Sequence, residues 1–178
     1  MPTAPQSPAA PRECGDCTLC CKIMGIKELS KPPGLWCGHC KPARGCAIYH
    51  SRPQECRTFV CGYLHSPELD ERWKPSSCKF LLMDDSGDTH VVVDPARPDA
   101  WRKEPYYSCF KGWSQQGLDA GAKVIVAIGK RAIVILPDRD VDLGIMEDGD
   151  RMVTVREETP LGPRYNALKL PKDDPRCK

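Results

Sequence analysis

The hydrophobic pattern of the chain changes near residue 80. Before that point apolar side chains follow no sustained period, whereas afterwards they alternate with polar ones at period two. The alternation predicts one β-hairpin over residues 80–94 and a second over residues 123–136, each around a turn that contains glycine. A further strand pair is expected to flank Asp148-Gly149. Between the hairpins, the spacing of apolar residues predicts a helix over residues 106–118.

The first 80 residues contain helix-start signals instead of strand patterns. Ser51 stands at an N-cap position with Pro53 just after it, which predicts a helix that runs to about residue 61. A second short helix is predicted with Ser66 as its cap, because a proline follows at the first helical position.

Composition restricts the class of protein. The chain has 178 residues with 18 Pro and 14 Gly, which is loop-rich but below the roughly 25–30% that marks disorder. A net charge of +2 without a basic face argues against a nucleic-acid partner. No apolar run approaches the ~20 residues that cross a bilayer, so no membrane association is expected. The first eleven residues lack the basic start and apolar stretch of a signal peptide, so we expect a cytoplasmic protein with reduced thiols.

Cysteine is the residue type that indicates chemistry. The chain has 12 Cys, and ten of them fall within the first 80 residues. A disulfide framework is disfavoured in a reducing compartment, and spectator thiols do not bunch at two-residue spacing, so the clustering indicates a metal site. Cys14, Cys17 and Cys20 follow one another at x2 spacing, and Cys37 and Cys40 repeat it. Two such pairs are typical of a four-thiolate zinc site, and three in a row are also typical of an iron–sulfur ligand run.

Two further spacings favour two metal centres, or one polynuclear centre, over a single ion. Cys20 and Cys21 are adjacent, and neighbouring side chains of an extended segment point to opposite sides. Cys56 and Cys61 are five residues apart, about 140° around a continuous helix. Either the helix ends before Cys61, or these two thiols belong to different sites.

These patterns together predict an α+β fold. A cysteine-rich, metal-stabilised, irregular and helical N-terminal half is expected to pack on a small antiparallel β-sheet. We expect a disordered leader over residues 1–13, a cysteine-cluster metal-binding region over 14–80 and a β-hairpin-rich region over 81–178. The last two are expected to form one continuous domain, because no obvious linker separates them.

The order of motifs resembles a known family. Cys14-x2-Cys17-x2-Cys20-Cys21 is followed by Cys37, by Gly45-Cys46-Ala-Ile-Tyr49, and by Arg52-Pro53-x2-Cys56 with Cys61. This order is similar to that of the YkgJ-type cysteine-cluster family, described as a zinc- or iron-chelating domain and sometimes labelled an iron–sulfur oxidoreductase. The resemblance covers residues 14–65 and implies eight metal ligands: Cys14, Cys17, Cys20, Cys21, Cys37, Cys46, Cys56 and Cys61. Three further candidate ligands are Cys40, Cys78 and His39, of which the two cysteines are extra to the family pattern.

The function expected from these observations is metal binding. The leading interpretation is a cytoplasmic protein whose eight-cysteine cluster holds zinc, most simply two ions, in a structural or regulatory role. Its partners would then be metal ions and an unknown protein that docks on the β-rich half. The alternative is an iron–sulfur redox or electron-transfer protein that uses the same cysteines, and a third interpretation is a metal chaperone or buffer. No catalytic motif is present, so an enzyme would most simply be an iron–sulfur oxidoreductase.

Overall fold

The structure, a computed structural model, describes residues 12–160 and 162–177, except the side chain of Asp119. The chain divides into two compact units, of which unit 1 ends at Leu81 and unit 2 begins at Leu82. Of the leader predicted over residues 1–13, positions 1–11 lie outside the described residues. No helix in the described ranges has the length and apolar character that a bilayer crossing requires.

Unit 1 is built from short elements joined by turns. Its α-helices are four or five residues long, its two strands have two residues each, and three 3₁₀ turns lie between them. In chain order these are α1 (Leu19–Ile23), 3₁₀ Lys27–Leu29, β1 (Cys40–Lys41), β2 (Gly45–Cys46), 3₁₀ Tyr49–Ser51, α2 (Gln54–Thr58), α3 (Gly62–His65), 3₁₀ Glu71–Trp73 and α4 (Pro75–Cys78). Helices this short are marginal by themselves, so contacts outside each helix must hold them.

The helix predicted from Ser51 is shorter than expected, and its cap is wrong. Ser51 ends a 3₁₀ turn, and α2 begins at Gln54, whose backbone N–H donates to Glu28 Oε1 at 2.9 Å. In return the backbone N–H of Lys27 donates to Glu55 Oε2 at 2.7 Å. In each segment, a backbone N–H without a partner inside its own helix therefore donates to a carboxylate of the other segment. A local sequence pattern does not reveal such a long-range cap.

The second predicted helix start is also wrong. Ser66 directly follows the last residue of α3 instead of beginning a helix, and its backbone N–H donates to Gly62 O. The Arg12 guanidinium satisfies carbonyls at this end: Nη1 donates to Tyr63 O and Ser66 O, both at 2.9 Å. It also stacks over the Tyr63 ring, 4.5 Å from the centroid. The helix therefore ends where a cation from the chain start supplies donors to its last carbonyls.

Unit 2 contains most of a five-stranded sheet, and the two predicted hairpins are confirmed. Strands β3 (Phe80–Asp85) and β4 (Asp88–Val93) are neighbours, and β5 (Val124–Ile128) pairs antiparallel with β6 (Arg131–Ile135). Strand β7 (Asp140–Ile145) adds to β6, which gives the order β3-β4-β5-β6-β7.

The sheet is mixed, so the prediction of an antiparallel sheet is wrong. Strand β4 pairs parallel with β5, with Val91 opposite Val126. The predicted helix is confirmed as α5 (Tyr106–Gly117), and it lies in the connection between these two strands. A long helical crossover returns the chain to the end of the sheet at which β4 began, so that β5 runs parallel to β4. Phe110 of α5 is buried, and Ser114 Oγ donates to Ile135 O at 2.6 Å.

Strands do lie on both sides of Asp148-Gly149, but they do not pair with each other. Strand β8 (Asp150–Thr159) pairs over ten residues with β9 (Gly162–Pro171), while β7 pairs with β6. The strand β9 escapes prediction because Pro163 and several charged residues interrupt its apolar alternation.

Candidate metal centre

Both x2 cysteine pairs fold into tight turns. The backbone N–H of Cys17 donates to Cys14 O at 2.8 Å, and that of Cys40 donates to Cys37 O at 3.0 Å. The first turn needs a positive φ of 54° at Gly15, a conformation that glycine adopts without steric cost. The two thiols of each turn lie near each other, because Cys14 and Cys17 line the same cavity and Cys37 raises the pKa of Cys40.

The adjacent cysteines lie on a helix, not on an extended segment. Cys20 and Cys21 both belong to α1, where successive side chains diverge by roughly 100°. Cys20 lines a cavity inside unit 1, whereas the Cys21 thiol hydrogen-bonds with Cys20 and with Cys40. The local conformation differs from the prediction, and the two thiols interact with each other instead of pointing to opposite sides.

Five thiols line the cavity within unit 1, which has a volume of about 70 Å³: Cys14, Cys17, Cys20, Cys56 and Cys61. Apolar side chains such as Phe59, Leu64 and Leu81 complete its wall. Cys56 and Cys61 share it because α2 ends at Thr58, before Cys61. Of the two alternatives left open by their spacing, the first is therefore the one observed.

A second group of thiols lies around the β1–β2 pair. Cys40 and Cys46 are directly opposed across the two strands, and the backbone N–H of Cys37 donates to Cys21 O at 3.0 Å. Cys56 belongs to this neighbourhood too, because the thiols of Cys21, Cys37 and Cys46 each raise its pKa.

Five thiols of these two groups resist ionisation: Cys14, Cys21, Cys40, Cys56 and Cys61. Burial raises the pKa of Cys14, Cys56 and Cys61, and repulsion from nearby thiolates raises it further. A hydrogen bond with Cys20 is the largest cause of the raised pKa of Cys21. Burial raises the pKa of Cys40 to about 11. Without a cation to compensate several clustered thiolates, these groups stay protonated at neutral pH, so metal binding would release protons.

Two basic side chains accompany the thiols, and neither was predicted as a site residue. Lys31 is only 9% exposed, and its Nζ donates to Lys22 O at 2.9 Å and to Met24 O. Burial lowers the pKa of Lys31, while thiolates led by Cys37 and Cys21 oppose that shift. Arg52 lines the cavity, and its charge lowers the pKa of both Cys14 and Cys56.

The three further candidate ligands occupy different environments. Cys40 lies inside the second thiol group, as described above. His39 is exposed, and its carbonyl accepts from the Ala47 N–H at 2.8 Å. Cys78 is 3% exposed, and its thiol donates to Phe80 O at 3.3 Å and Trp73 O at 3.4 Å. A protonated thiol held by carbonyls in this way has the environment of a structural residue.

The donor set fits a thiophilic metal, although the sulfurs do not converge. Across residues 12–160 and 162–177, no three His, Cys, Asp or Glu side chains meet in a geometry that could hold an ion. The cavity nevertheless offers five thiols and one carboxylate, from Glu13, and no imidazole. Thiolate-rich sets of this kind select zinc, copper(I) or iron–sulfur clusters over magnesium and calcium.

Comparisons with family models, with curated proteins and with solved structures found no match to this chain. The candidate site therefore rests on its own residues.

Sequence reasoning identified the cysteines but missed the groups that surround them. Arg52 stands within the Arg-Pro motif, so its position is visible in the sequence, but its place in the cavity wall is not. Lys31 precedes two prolines and resembles an ordinary surface lysine. Its side chain turns back to the end of α1, where Nζ donates to Lys22 O and Met24 O.

Proposed function

We propose that the protein binds two zinc ions through eight of its twelve cysteines, in a structural or regulatory role. The observation that carries the proposal is the clustering of these thiols in unit 1: five line one cavity, and Cys21, Cys37 and Cys46 raise the pKa of Cys56. We assign the eight to two sets of four, and Cys20 and Cys21 interact across the boundary between the sets. The cavity quartet consists of Cys14, Cys17, Cys20 and Cys61. The hairpin quartet consists of Cys21, Cys37, Cys46 and Cys56.

The cavity quartet is supported by a shared cavity and by repulsion between its thiolates. Its four thiols line the same cavity, and Cys61 and Cys17 are the thiols that most raise the pKa of Cys14. Four thiolates complete a tetrahedral zinc shell and leave no open position for a substrate. A closed shell of this kind suits a structural ion.

The hairpin quartet is supported by the neighbours of Cys56. This thiol also lines the cavity, but the thiols that raise its pKa are Cys21, Cys37 and Cys46. The Lys31 ammonium lies close enough to Cys37, Cys21 and Cys56 for their charges to interact. A four-thiolate zinc site carries about two negative charges, which a neighbouring cation offsets.

Binding an ion would require rotation of the cysteine side chains in each quartet. The sulfur position depends on χ1 alone, which has three staggered wells. The tight Cys14–Cys17 turn already fixes the backbone, so little ordering cost remains there. Binding by deprotonated ligands would stabilise unit 1, whose helices are too short to be stable alone.

An iron–sulfur cluster is the second candidate, and a specific observation favours it. Cys14, Cys17 and Cys20, spaced as in an iron–sulfur ligand run, line one cavity together with two distal thiols. The family that the sequence resembles includes members labelled iron–sulfur oxidoreductases. In that case the protein would transfer electrons, and its solution would be brown.

A metal chaperone or buffer is the third candidate. Cys40 is a ninth thiol that hydrogen-bonds with Cys21, so the hairpin quartet has one donor more than an ion requires. A surplus ligand would allow metal to pass stepwise to a competing chelator. A structural site would release its metal only as unit 1 unfolds.

Single serine variants test the division into quartets. Cys17→Ser removes a ligand of the cavity quartet and Cys56→Ser removes a ligand of the hairpin quartet, so each should retain about one of two ions and lower the melting temperature. Cys177→Ser, in unit 2, serves as the control and should keep full metal content. Unchanged metal and stability in both site variants would refute the proposal, and complete metal loss in both would indicate one polynuclear centre instead.

A further inference from the structure

Unit 2 contains a cavity that none of the preceding chemistry uses. It has a volume of about 440 Å³, within the roughly 300–1,000 Å³ that small-molecule sites occupy. One wall is the inner face of the β8–β9 hairpin, and another is the turn after α5 at Leu118 and Gly121. The short 3₁₀ turn Pro175–Cys177 contributes a third side.

The hairpin presents alternate side chains to this cavity. Met152, Thr154 and Arg156 are two residues apart along β8, so they share one face. Across the pair, Ala167 lies opposite Thr154 and Tyr165 lies opposite Arg156. Met152 and Tyr165 also pack against the buried cluster of Leu118 and Ala167. The cavity wall is therefore mixed: Leu118 and Met152 are apolar, whereas Thr154, Tyr165 and Arg156 carry polar groups.

The Thr154 hydroxyl is buried without a partner. Among the described residues, Thr154 Oγ1 is inaccessible to solvent and makes no hydrogen bond. Leaving a buried polar atom unsatisfied is costly, and native proteins contain few such groups. A rotation about χ1 would turn this hydroxyl towards the cavity, where a bound molecule with a polar atom would supply the missing partner.

Three cations line the same cavity, while their carboxylate partners do not. Lys123 pairs with Asp88 at 2.9 Å, Arg156 with Glu158 at 3.0 Å, and Arg176 with Asp174 at 2.8 Å. None of these carboxylates belongs to the cavity lining. Within the described part of the chain, the cavity wall therefore includes three cationic side chains and no carboxylate, which favours an anion there.

We infer that this cavity binds a small organic anion with an apolar body, such as an aromatic or aliphatic carboxylate. The apolar body would lie against Leu118, Met152 and Tyr165. The anionic group would accept from Arg156 and Lys123, and Thr154 Oγ1 would donate to it. Arg156 is the best-placed contact, because its ion pair with Glu158 is the most exposed of the three. An exposed ion pair is weak, so a bound anion can most easily replace Glu158 as the partner of Arg156.

The test is a titration of the full-length protein with the fluorescent naphthalene sulfonate dye ANS. Arg156→Gln should weaken dye binding about tenfold, because it removes a charge-assisted hydrogen bond. The matched control is Arg164→Gln, since Arg164 lies opposite Glu157 and so on the other face of the same hairpin. This variant should bind the dye as the wild type does. Displacement by 4-phenylbutyrate, but not by neutral 4-phenylbutanol, would show that the site selects anions.

Thr154→Val separates a ligand contact from a packing defect. It keeps the side-chain shape and removes the orphan hydroxyl, so the melting temperature should rise. If the inference is correct, dye affinity falls severalfold in the same variant. A higher melting temperature with unchanged dye affinity would overturn the inference. So would the absence of saturable binding, or equal weakening by Arg156→Gln and Arg164→Gln.

Discussion

Cysteines of the same unit differ in what their surroundings allow them to do. The thiols of Cys14 and Cys61 face a cavity with other sulfurs around them, so a metal cation would relieve their mutual repulsion. Cys78 is enclosed by backbone carbonyls that accept from its S–H. Burial raises the pKa of Cys78 to about 12, and the thiol form is the one that its neighbours favour.

The stability that Cys78 provides should therefore depend on pH. The pKa of Cys78 in the folded state lies above the usual value of about 8.5. The buried thiol therefore provides its full stabilisation of the folded state below pH 8.5, and this stabilisation is lost as the pH rises towards 12. Cys78→Ala should destabilise the protein by about 1–2 kcal/mol at pH 7, and by less at pH 10. Urea unfolding at both pH values measures this, with Cys177→Ala as the control. A destabilisation that stays constant or grows with pH would contradict the assignment.

At the residue scale, the sequence identifies ligands better than it identifies their environment. Thiol spacing is local, so the candidates Cys14 to Cys61 can be read from the chain. The carboxylates of Glu28 and Glu55 cap segments more than 20 positions away, and Lys31 is buried by its own loop. Such contacts arise from tertiary structure and leave no local pattern.

The two x2 turns resemble each other in sequence but differ in backbone conformation. Gly15 in the first turn has a positive φ of 54°, whereas Gly38 at the matching position of the second turn does not. A Cβ at either glycine would meet nothing within 4 Å. The two positions therefore differ only in the conformation that they require of the backbone.

Alanine substitution at these glycines should separate the turns. Gly15→Ala forces an L-residue into the left-handed region and should cost about 1–2 kcal/mol, lowering both metal affinity and melting temperature. Gly38→Ala should be neutral or slightly stabilising. Competition with a chromophoric zinc chelator, together with thermal unfolding, compares them. Equal effects at the two glycines would show that the first turn does not need its backbone conformation.

At the element scale, the β-rich half was predictable and the cysteine-rich half was not. The alternation of apolar and polar residues and the two-residue turn predict hairpin strands such as β5 and β6. The parallel pairing of β4 with β5 is a property of the crossover, which no strand pattern contains. The helices of unit 1 end after four or five residues, and the Arg12 guanidinium that donates to carbonyls at the end of α3 comes from a distant part of the chain.

The two units differ in how their chains are held. Among the twelve largest fully buried side chains of the described residues, only Phe80 and Leu81 belong to unit 1. Unit 2 buries apolar side chains from both faces of its sheet, including the consecutive residues Ile125 and Val126 of β5, and it also buries Phe110 of α5. Because unit 1 has so little core, it needs another source of free energy to remain folded, and metal ligation is the source that we propose.

Metal removal should therefore unfold one unit and spare the other. After treatment with a strong chelator, amide hydrogens of α1, α2 and the β1–β2 pair should exchange rapidly, while those of β5 and β6 stay protected. Hydrogen exchange followed by mass spectrometry on the full chain measures this, and zinc readdition serves as the control. Unchanged protection in unit 1 would contradict a structural role for the metal.

The central claim is tested most directly by elemental analysis with an absorption spectrum, on protein purified without oxygen. We expect about two zinc ions per chain and no visible colour, because the d-shell of Zn²⁺ is full. Iron with matching sulfide and a broad band near roughly 400 nm would contradict it and identify a redox protein. Protein that is folded, fully reduced and free of any metal would contradict both.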